Sequence, residues 1–287
     1  MTRDCLKYLY GKFWFLTRYI IKNKNDCPNG AVRILVYHNI PYKKIDHFRN
    51  HLLFIFNNYG FFDPNDFELF NIGKIKFKGI RVLITFDDGF KSQFYATQEV
   101  LESLGIKAIF FIPVNFIGLN NFSDIKKFIN NNLNIKTNPS DEFFPMGWDD
   151  LYNLSIKGHI IGSHTESHPW LPTILNHKIL RDEIWRSGDT IESRLGISVN
   201  WFSYPYGRRR SVSYEGYMIA NKRYIYCASD IGGLNSPNGE CNWIRRDSIK
   251  VDASLDFLRL VLEGGLDFIN FWRFRNFKKA SEERKYK

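Results

Sequence analysis

Short apolar runs alternate with amphipathic segments along most of this chain, and this alternation restricts its fold more than any other feature. The runs are rich in β-branched and aromatic residues, whereas the segments between them repeat their apolar residues with a helical period. Parallel strands joined by crossover helices produce this pattern. The predicted strands are residues 31–37, 81–86, 107–112, 159–163, 199–203, 224–228 and 243–249. The predicted helices are residues 47–59, 92–104, 123–130, 148–157, 175–195, 214–221 and 255–262.

The number of repeats predicts the architecture. About seven strand–helix units without an internal sequence repeat indicate a barrel-like α/β domain. The 287 residues, 44% of them hydrophobic, can bury one large core. We therefore expect one domain over residues 31–265, an aromatic and basic segment before it (1–30) and a basic tail after it (266–287). Residues 115–145 are rich in Asn and turn residues, which predicts an insertion over one end of the fold.

Charge and the amino-terminal sequence bear on partners and location. The net charge is +10, but the basic residues are scattered and no recognition motif is present, so we expect no nucleic-acid partner. Residues 7–22 are aromatic and basic, too charged to span a bilayer, and lack the features of a secretory signal. We therefore expect a cytoplasmic protein. This segment either packs on the domain or lies in the membrane interface, which would give peripheral association at the inner membrane surface.

Charged and imidazole side chains collect where predicted strands end. The pair Asp87 and Asp88 follows one strand, His164 and His168 follow another, and the turn 205–207 follows a third. The carboxyl ends of parallel strands meet at one edge of a barrel, and barrel enzymes carry their active sites there. The sequence therefore predicts that these groups form one site.

These residue types are typical of a catalytic metal site. Two imidazoles and one carboxylate satisfy a Zn²⁺ ion and leave a position open for water, whose pKa then falls to about 7. Adjacent side chains on an extended segment point to opposite sides, so only one Asp of a pair binds the ion. The other can accept the proton of the water. We assign Asp88, His164 and His168 to a divalent metal, with Zn²⁺ as the expected ion, and Asp87 to the base.

Three motifs, in this order and spacing, resemble those of the polysaccharide deacetylases, the NodB-homology domain of carbohydrate esterase family four. They are Thr-Phe-Asp-Asp-Gly at 85–89, Ser-His-Thr-Glu-Ser-His at 163–168 and Phe-Ser-Tyr-Pro-Tyr-Gly at 202–207. The resemblance covers roughly residues 31–262 and implies a single distorted (β/α) barrel of the NodB-homology type. It implies the same base and metal ligands as above.

The resemblance also implies roles for the third motif. In the family, a Pro-Tyr turn lines the substrate groove and supplies a backbone N–H to the oxyanion. Carried over, Pro205 and Tyr206 line the groove, and the amide of Tyr206 donates to the oxyanion.

Two positions depart from the family's pattern. The third motif usually contains an Arg that orients the base, and the matching residue here is Ser203. Arg245 or Arg246 could substitute, although such residues more often form surface salt bridges. Many members also carry a late general-acid His, whereas no His follows His177. His38, at the end of the first strand, resembles the acid of the circularly permuted branch, which includes the poly-N-acetylglucosamine deacetylases.

The sequence thus predicts a metal-dependent hydrolase that removes N-acetyl groups from an amino-sugar-containing glycan or glycan precursor. Metal-bound water is the expected nucleophile, Asp87 the base and His38 the acid. Two alternatives stay open. A metal-dependent amidohydrolase acting on a small non-sugar amide would use the same water and base. A catalytically inactive glycan-binding member would use the same groove, and the missing Arg is its best support.

Overall fold

A curled, mostly parallel sheet lies at the centre of the computed structural model, which describes residues 27, 29–136, 143–267 and 270. Its strands are β1 (Ala31–Tyr37), β2 (Ile80–Asp87), β3 (Ala108–Ile112), β4 (Ile160–Ser163), β5 (Trp201–Ser203), β6 (Tyr226–Ala228), β7 (Leu234–Asn235) and β8 (Asp247–Ser248). They are ordered β6-β5-β4-β3-β2-β1-β7, and β8 also pairs with β1. Every neighbouring pair is parallel except β1 with β7.

The central strands are buried on both faces, as their continuous apolar sequences predict. β1 and β2 run in register from the pair Ala31 and Ile80 to the pair Tyr37 and Phe86. Their carboxyl ends therefore lie side by side. The residues that follow them, His38 after β1 and the Asp pair at the end of β2, are brought to the same edge of the sheet.

Residues 244–248 close the sheet into a distorted barrel. Ile244 forms a parallel bridge with Ala228 of β6, and β8, a few residues on, pairs with β1. The prediction of one continuous strand over 243–249 was wrong in its extent. This segment crosses from one edge of the sheet to the other, so it pairs with each edge over only one or two residues.

Helices surround this sheet. They are α1 (Ile45–Asn58), α2 (Phe67–Asn71), α3 (Lys91–Ala96, continuing through Thr97–Leu101 and Glu102–Leu104), α4 (Phe122–Asn131), α5 (Trp148–Ile156), α6 (His177–Leu195), α7 (Tyr214–Arg223) and α8 (Leu255–Leu262). One cluster of buried side chains joins Leu35 and Phe110 of the sheet to Phe48 of α1 and Ile184 of α6. The outer face of the sheet is thus covered, as expected for an α/β barrel.

A second apolar cluster fills the amino-terminal end of the barrel. Trp201 and Tyr226 begin β5 and β6, and the Phe67 ring of α2 packs against both, with ring centroids 4.9 and 5.3 Å apart. The sequence pattern did not predict α2. Aromatic side chains thus fill the amino-terminal end of the barrel interior, and the polar groups of the interior lie at the carboxyl end.

Several predictions concern the ends of the chain. Most of the expected amino-terminal segment (1–30) and most of the expected basic tail (266–287) lie outside the described residues. Within the ranges given above, no helix is both long and apolar enough to cross a membrane. Cys227 and Cys241 are free thiols.

Candidate active site

Polar residues from several strand ends meet at the carboxyl edge of the barrel. His38 follows β1, Asp87 ends β2 with Asp88 after it, His164 follows β4, and the turn 204–207 follows β5. His168 reaches the same place one turn beyond His164, since the two imidazole centroids are 4.7 Å apart. The predicted site residues are thus brought together at one edge of the sheet.

The three predicted metal ligands form a tight, buried cluster. One ligand atom from each of Asp88, His164 and His168 lies within 4.8 Å of the others. The Nε2 atoms of His164 and His168 are 3.9 and 3.7 Å from Asp88 Oδ1. This spacing leaves room for a cation between the three atoms.

Backbone carbonyl groups orient both imidazoles toward this centre. His164 Nδ1 is 2.7 Å from the Ser203 carbonyl oxygen, and His168 Nδ1 is 2.9 Å from that of Asn132. A carbonyl oxygen only accepts, so each Nδ1 carries the proton and each Nε2 lone pair faces Asp88. Burial also lowers the pKa of His164 to about 3, which keeps it neutral. Neutral imidazoles with one carboxylate are the donors that Zn²⁺ takes at catalytic sites, so the residues fit that ion.

Unusual backbone conformations concentrate around this cluster. Asp88, Thr165, His168 and Tyr206 have φ values of 78°, 69°, 56° and 61°, in the left-handed region that non-glycine residues avoid. They are four of the six such residues in the described part of the chain. Conformations of this kind persist only where the surroundings enforce them, and they tend to lie at functional sites.

Arg246 holds the carboxylate of Asp87 from inside the barrel. Its Nη1 and Nη2 donate to the two carboxylate oxygens of Asp87 at 2.8 Å each. The guanidinium group is 1% exposed and lies over the Phe111 ring, 4.9 Å from its centroid. Burial alone would raise the pKa of Asp87, but the charge and hydrogen bonds of Arg246 outweigh it and hold the pKa well below its usual range. Asp87 is therefore ionised at neutral pH, and its two hydrogen bonds to Arg246 fix the orientation of the carboxylate.

Of the two arginines considered from the sequence, only Arg246 reaches Asp87, the predicted base. Side chains alternate along an extended segment, and Ile244 and Arg246 both point into the barrel. Arg245 lies instead against Gly233. Arg246 is buried, so it does not form the surface salt bridge that is the commoner fate of such residues. Ser203, which stands where the resemblance implies an Arg, accepts from Arg246 at 2.7 Å and donates to Asp87 at 3.2 Å.

Asp230 belongs to the same network, and the sequence reasoning missed it. Arg246 Nη2 donates to Asp230 Oδ1 at 3.0 Å, so one guanidinium group bridges two carboxylates. The Asp230 amide donates to the carbonyl of Gly207 at 2.8 Å, and a Cβ on Gly207 would lie 2.5 Å from that nitrogen. Asp230 follows the strand β6 as the other site residues follow theirs, which is the signal that could have identified it.

His38 lies beside the Asp pair. Gln93 Nε2 donates to the carbonyl oxygens of both His38, at 3.2 Å, and Asp87, which ties the ends of β1 and β2 together. Burial raises the pKa of Asp88, and the nearby His38 and His168 partly offset this rise. His38 is thus close enough to interact with the carboxylates of the site.

The turn after β5 forms one side of the site. The Tyr206 ring contacts His168 and Trp170, with centroid separations of 4.7 and 5.3 Å. Its hydroxyl donates to the Asn132 carbonyl oxygen at 2.8 Å. Its backbone N–H has no acceptor among the described residues. Trp170, 39% exposed, extends this aromatic surface toward solvent.

The family model for polysaccharide deacetylase matches residues 74–222, about half of the chain, including all three motifs. The chain belongs to the polysaccharide deacetylase family. This confirms the family predicted from the motifs and makes the protein a hydrolase of carbon–nitrogen bonds. No curated protein matches the chain.

Solved structures share the fold of this family member. IcaB from Ammonifex degensii has a TM-score of 0.65 at 18% identity, covering 82% of this chain and 97% of its own. The deacetylase PplD from Streptococcus pyogenes, in complex with acetate, has a TM-score of 0.63 at 17% identity, covering 82% and 99%. A de-N-acetylase from Aggregatibacter actinomycetemcomitans has a TM-score of 0.60 at 17% identity, covering 80% and 98%. These similarities confirm the α/β barrel.

Part of the site in this deacetylase lies outside the matched residues. His38 precedes the range 74–222, and Asp230 and Arg246 follow it. The matched part supplies the Asp pair, the two His residues of the cluster and the Pro-Tyr turn. The flanking sequence supplies His38, Asp230 and Arg246. It can do so because β1 pairs with β2 and β8 pairs with β1, which brings both flanking parts to the site.

Proposed function

We propose that this deacetylase removes N-acetyl groups from an amino-sugar-containing glycan or glycan precursor. The proposal rests mainly on Asp87, a buried, ionised carboxylate held by Arg246 with its Oδ2 3.7 Å from Nε2 of the metal-ligand candidate His164. This places a base directly beside a site for a cation. A relative of the same fold is described as a de-N-acetylase, and the Tyr206–Trp170 surface offers aromatic rings on which a sugar can pack.

A divalent cation held by Asp88, His164 and His168, with Zn²⁺ as the expected ion, would polarise the acetyl carbonyl and make a water at the site more acidic. Asp87 accepts the proton of that water as the oxygen attacks the carbonyl carbon. The two bonds from Arg246 prevent the carboxylate from rotating away. The low pKa of Asp87 keeps it ionised over a wide pH range.

The remaining groups serve the oxyanion and the leaving amine. The Tyr206 N–H, free of other acceptors in the described structure, donates to the oxyanion that develops at the acetyl carbonyl. His38 gives a proton to the sugar nitrogen as the carbon–nitrogen bond breaks. The products are acetate and a free amine. Pro205, at the start of the turn, lines the groove with Tyr206.

The role of His38 predicts a dependence on the leaving group. His38→Gln should lower kcat for an N-acetyl sugar by about 10²–10⁴-fold, because an amine leaves poorly without a proton. An activated aryl acetate, whose phenolate leaves unprotonated, should be hydrolysed at nearly the wild-type rate. Initial rates on both substrates provide the measurement. His47→Gln, a matched change at an exposed His of α1, serves as the control. Equal losses on both substrates would contradict the role as acid.

Acetate release tests the substrate class. We expect release from N-acetylhexosamine oligomers or lipid-linked N-acetylated glycans, and much slower release from small non-sugar acetamides. Faster turnover of the small amides would identify an amidohydrolase instead. Metal binding with no acetate from any substrate would identify an inactive glycan-binding member. The missing Arg that favoured that alternative has a substitute in Arg246.

The cytoplasmic location and the peripheral association with the inner membrane surface remain proposals based on the sequence of residues 1–30. So do the domain boundaries at residues 31 and 265.

A further inference from the structure

One carbonyl oxygen connects the metal ligands to the substrate groove. Asn132 directly follows α4, and its carbonyl oxygen accepts from His168 Nδ1 at 2.9 Å and from the Tyr206 hydroxyl at 2.8 Å. The last four carbonyl groups of a helix have no partner within the helix and carry partial negative charge. The carboxyl end of α4 is therefore aimed at a metal-ligand candidate and at a groove residue together.

The position of this carbonyl group is set by contacts on both sides. The Asn132 side chain donates from Nδ2 to the Ser167 carbonyl oxygen at 2.7 Å. Ser167 is in turn held by Glu183 of α6, which accepts from its N–H at 2.9 Å and from its hydroxyl at 2.7 Å. On the other side, α4 packs through Phe128 against Phe116, with stacked rings 4.8 Å apart. The described part of the insertion 115–145 thus forms a wall of the site.

We propose that Asn132 is a positioning residue that joins the metal site to the glycan groove. This inference rests on the proposed function. The Asn132 carbonyl fixes the protonated Nδ1 of His168, which directs Nε2 toward the cation, and it holds the Tyr206 ring beside His168. Partners of this kind tune metal affinity even though they never touch the metal. A displaced α4 end would therefore weaken both metal binding and glycan binding.

The test replaces the side chain that holds this carbonyl. Asn132→Leu keeps the size of the residue and removes the donor to Ser167, and Asn131→Leu makes the same change at the exposed neighbouring residue. Zinc affinity is measured by competition with a chromogenic chelator, and the visible spectrum of the Co²⁺-loaded proteins reports ligand geometry. We expect about tenfold weaker zinc binding and an altered spectrum for Asn132→Leu, the lower end of the usual effect of such partners. Asn131→Leu should match wild type.

Tyr206→Phe separates the two connections, since it removes only the hydroxyl donor. We expect its zinc affinity to match wild type and its KM for N-acetylhexosamine oligomers to rise several-fold at saturating zinc. Asn132→Leu should show both defects. Wild-type zinc affinity and Co²⁺ spectrum in a folded Asn132→Leu protein would overturn the inference and leave the proposed function standing. A wild-type protein that binds zinc but releases no acetate would overturn the proposed function. In that case, the difference in zinc affinity between Asn132→Leu and Asn131→Leu would still decide the role of Asn132.

Discussion

Replacing Asp87 with Asn is expected to lower kcat for acetate release by about 10²–10⁴-fold, the usual contribution of a general base. The amide has the same shape but cannot accept the proton of the attacking water. The fold should persist, because Arg246 keeps the half-buried Asp230 as a counter-ion. Zinc affinity should stay near that of wild type, since Asp87 is outside the set of ligand atoms that meet at the cation site. Steady-state kinetics and chelator competition give the two quantities.

The neighbouring residue provides the matched control. Asp88→Asn makes the same chemical change one position along the chain, at the carboxylate 3.7 Å from His168 Nε2. We expect this variant to lose zinc affinity, and activity with it. The two variants should therefore separate metal binding from proton transfer. If Asp87→Asn lost zinc while Asp88→Asn kept it, the assigned roles would have to be exchanged.

The second large effect is expected for Arg246→Lys. Lys keeps the charge, but a single ammonium cannot reproduce the fork that bonds both oxygens of Asp87 together with Ser203, Asp230 and the Ser229 carbonyl. A base misplaced by about 1 Å costs on the order of 10²-fold in rate, and we expect a fall in kcat of that size. Loss of buried hydrogen bonds should lower the free energy of unfolding by about 1–3 kcal/mol, measurable by chemical denaturation.

The pH profile distinguishes positioning from general destabilisation in this variant. Arg246 holds the pKa of Asp87 below its ordinary value against the effect of burial. An ionised base is present above its pKa and is lost as the pH falls through it. Weakening the pair raises this pKa, so the acid limb of kcat/KM should move to higher pH in Arg246→Lys. Arg245→Lys, one residue away and outside the network, should leave kcat and the limb unchanged. Equal effects of the two variants would contradict the assignment.

The repeating pattern of the chain was enough to predict most strands and the meeting of Asp88, His164 and His168, a candidate metal cluster. The central strands are mostly apolar and buried on both faces, and Asp88 and His164 each directly follow a strand. Because parallel strands end at one edge, sequence order alone places Asp88 and His164 together. His168 follows four residues after His164, and a turn with left-handed conformations at Thr165 and His168 brings its ring close to Asp88.

The groups that complete the site depend on tertiary closure, which leaves little local signal. Arg246 reaches Asp87 only because residues 244–248 bridge the edges of the sheet, and its inward direction depends on the exact phase of a very short strand. A one-residue shift would have placed Arg245 there instead. Asn132 acts through its backbone carbonyl, a group that every residue carries, so no pattern of side chains could have indicated its contact with His168.

Reconstitution with metal tests the central claim most directly. Wild-type protein is stripped with a chelator, titrated with Zn²⁺ and assayed for acetate release from an N-acetylhexosamine oligomer. We predict that activity disappears on stripping and returns in proportion to added zinc until about one equivalent is bound, as expected for a single three-residue site. Acetate release that persists at full rate in the stripped protein and in Asp88→Asn would contradict the claim that this cluster and Asp87 form a metal-dependent deacetylase site.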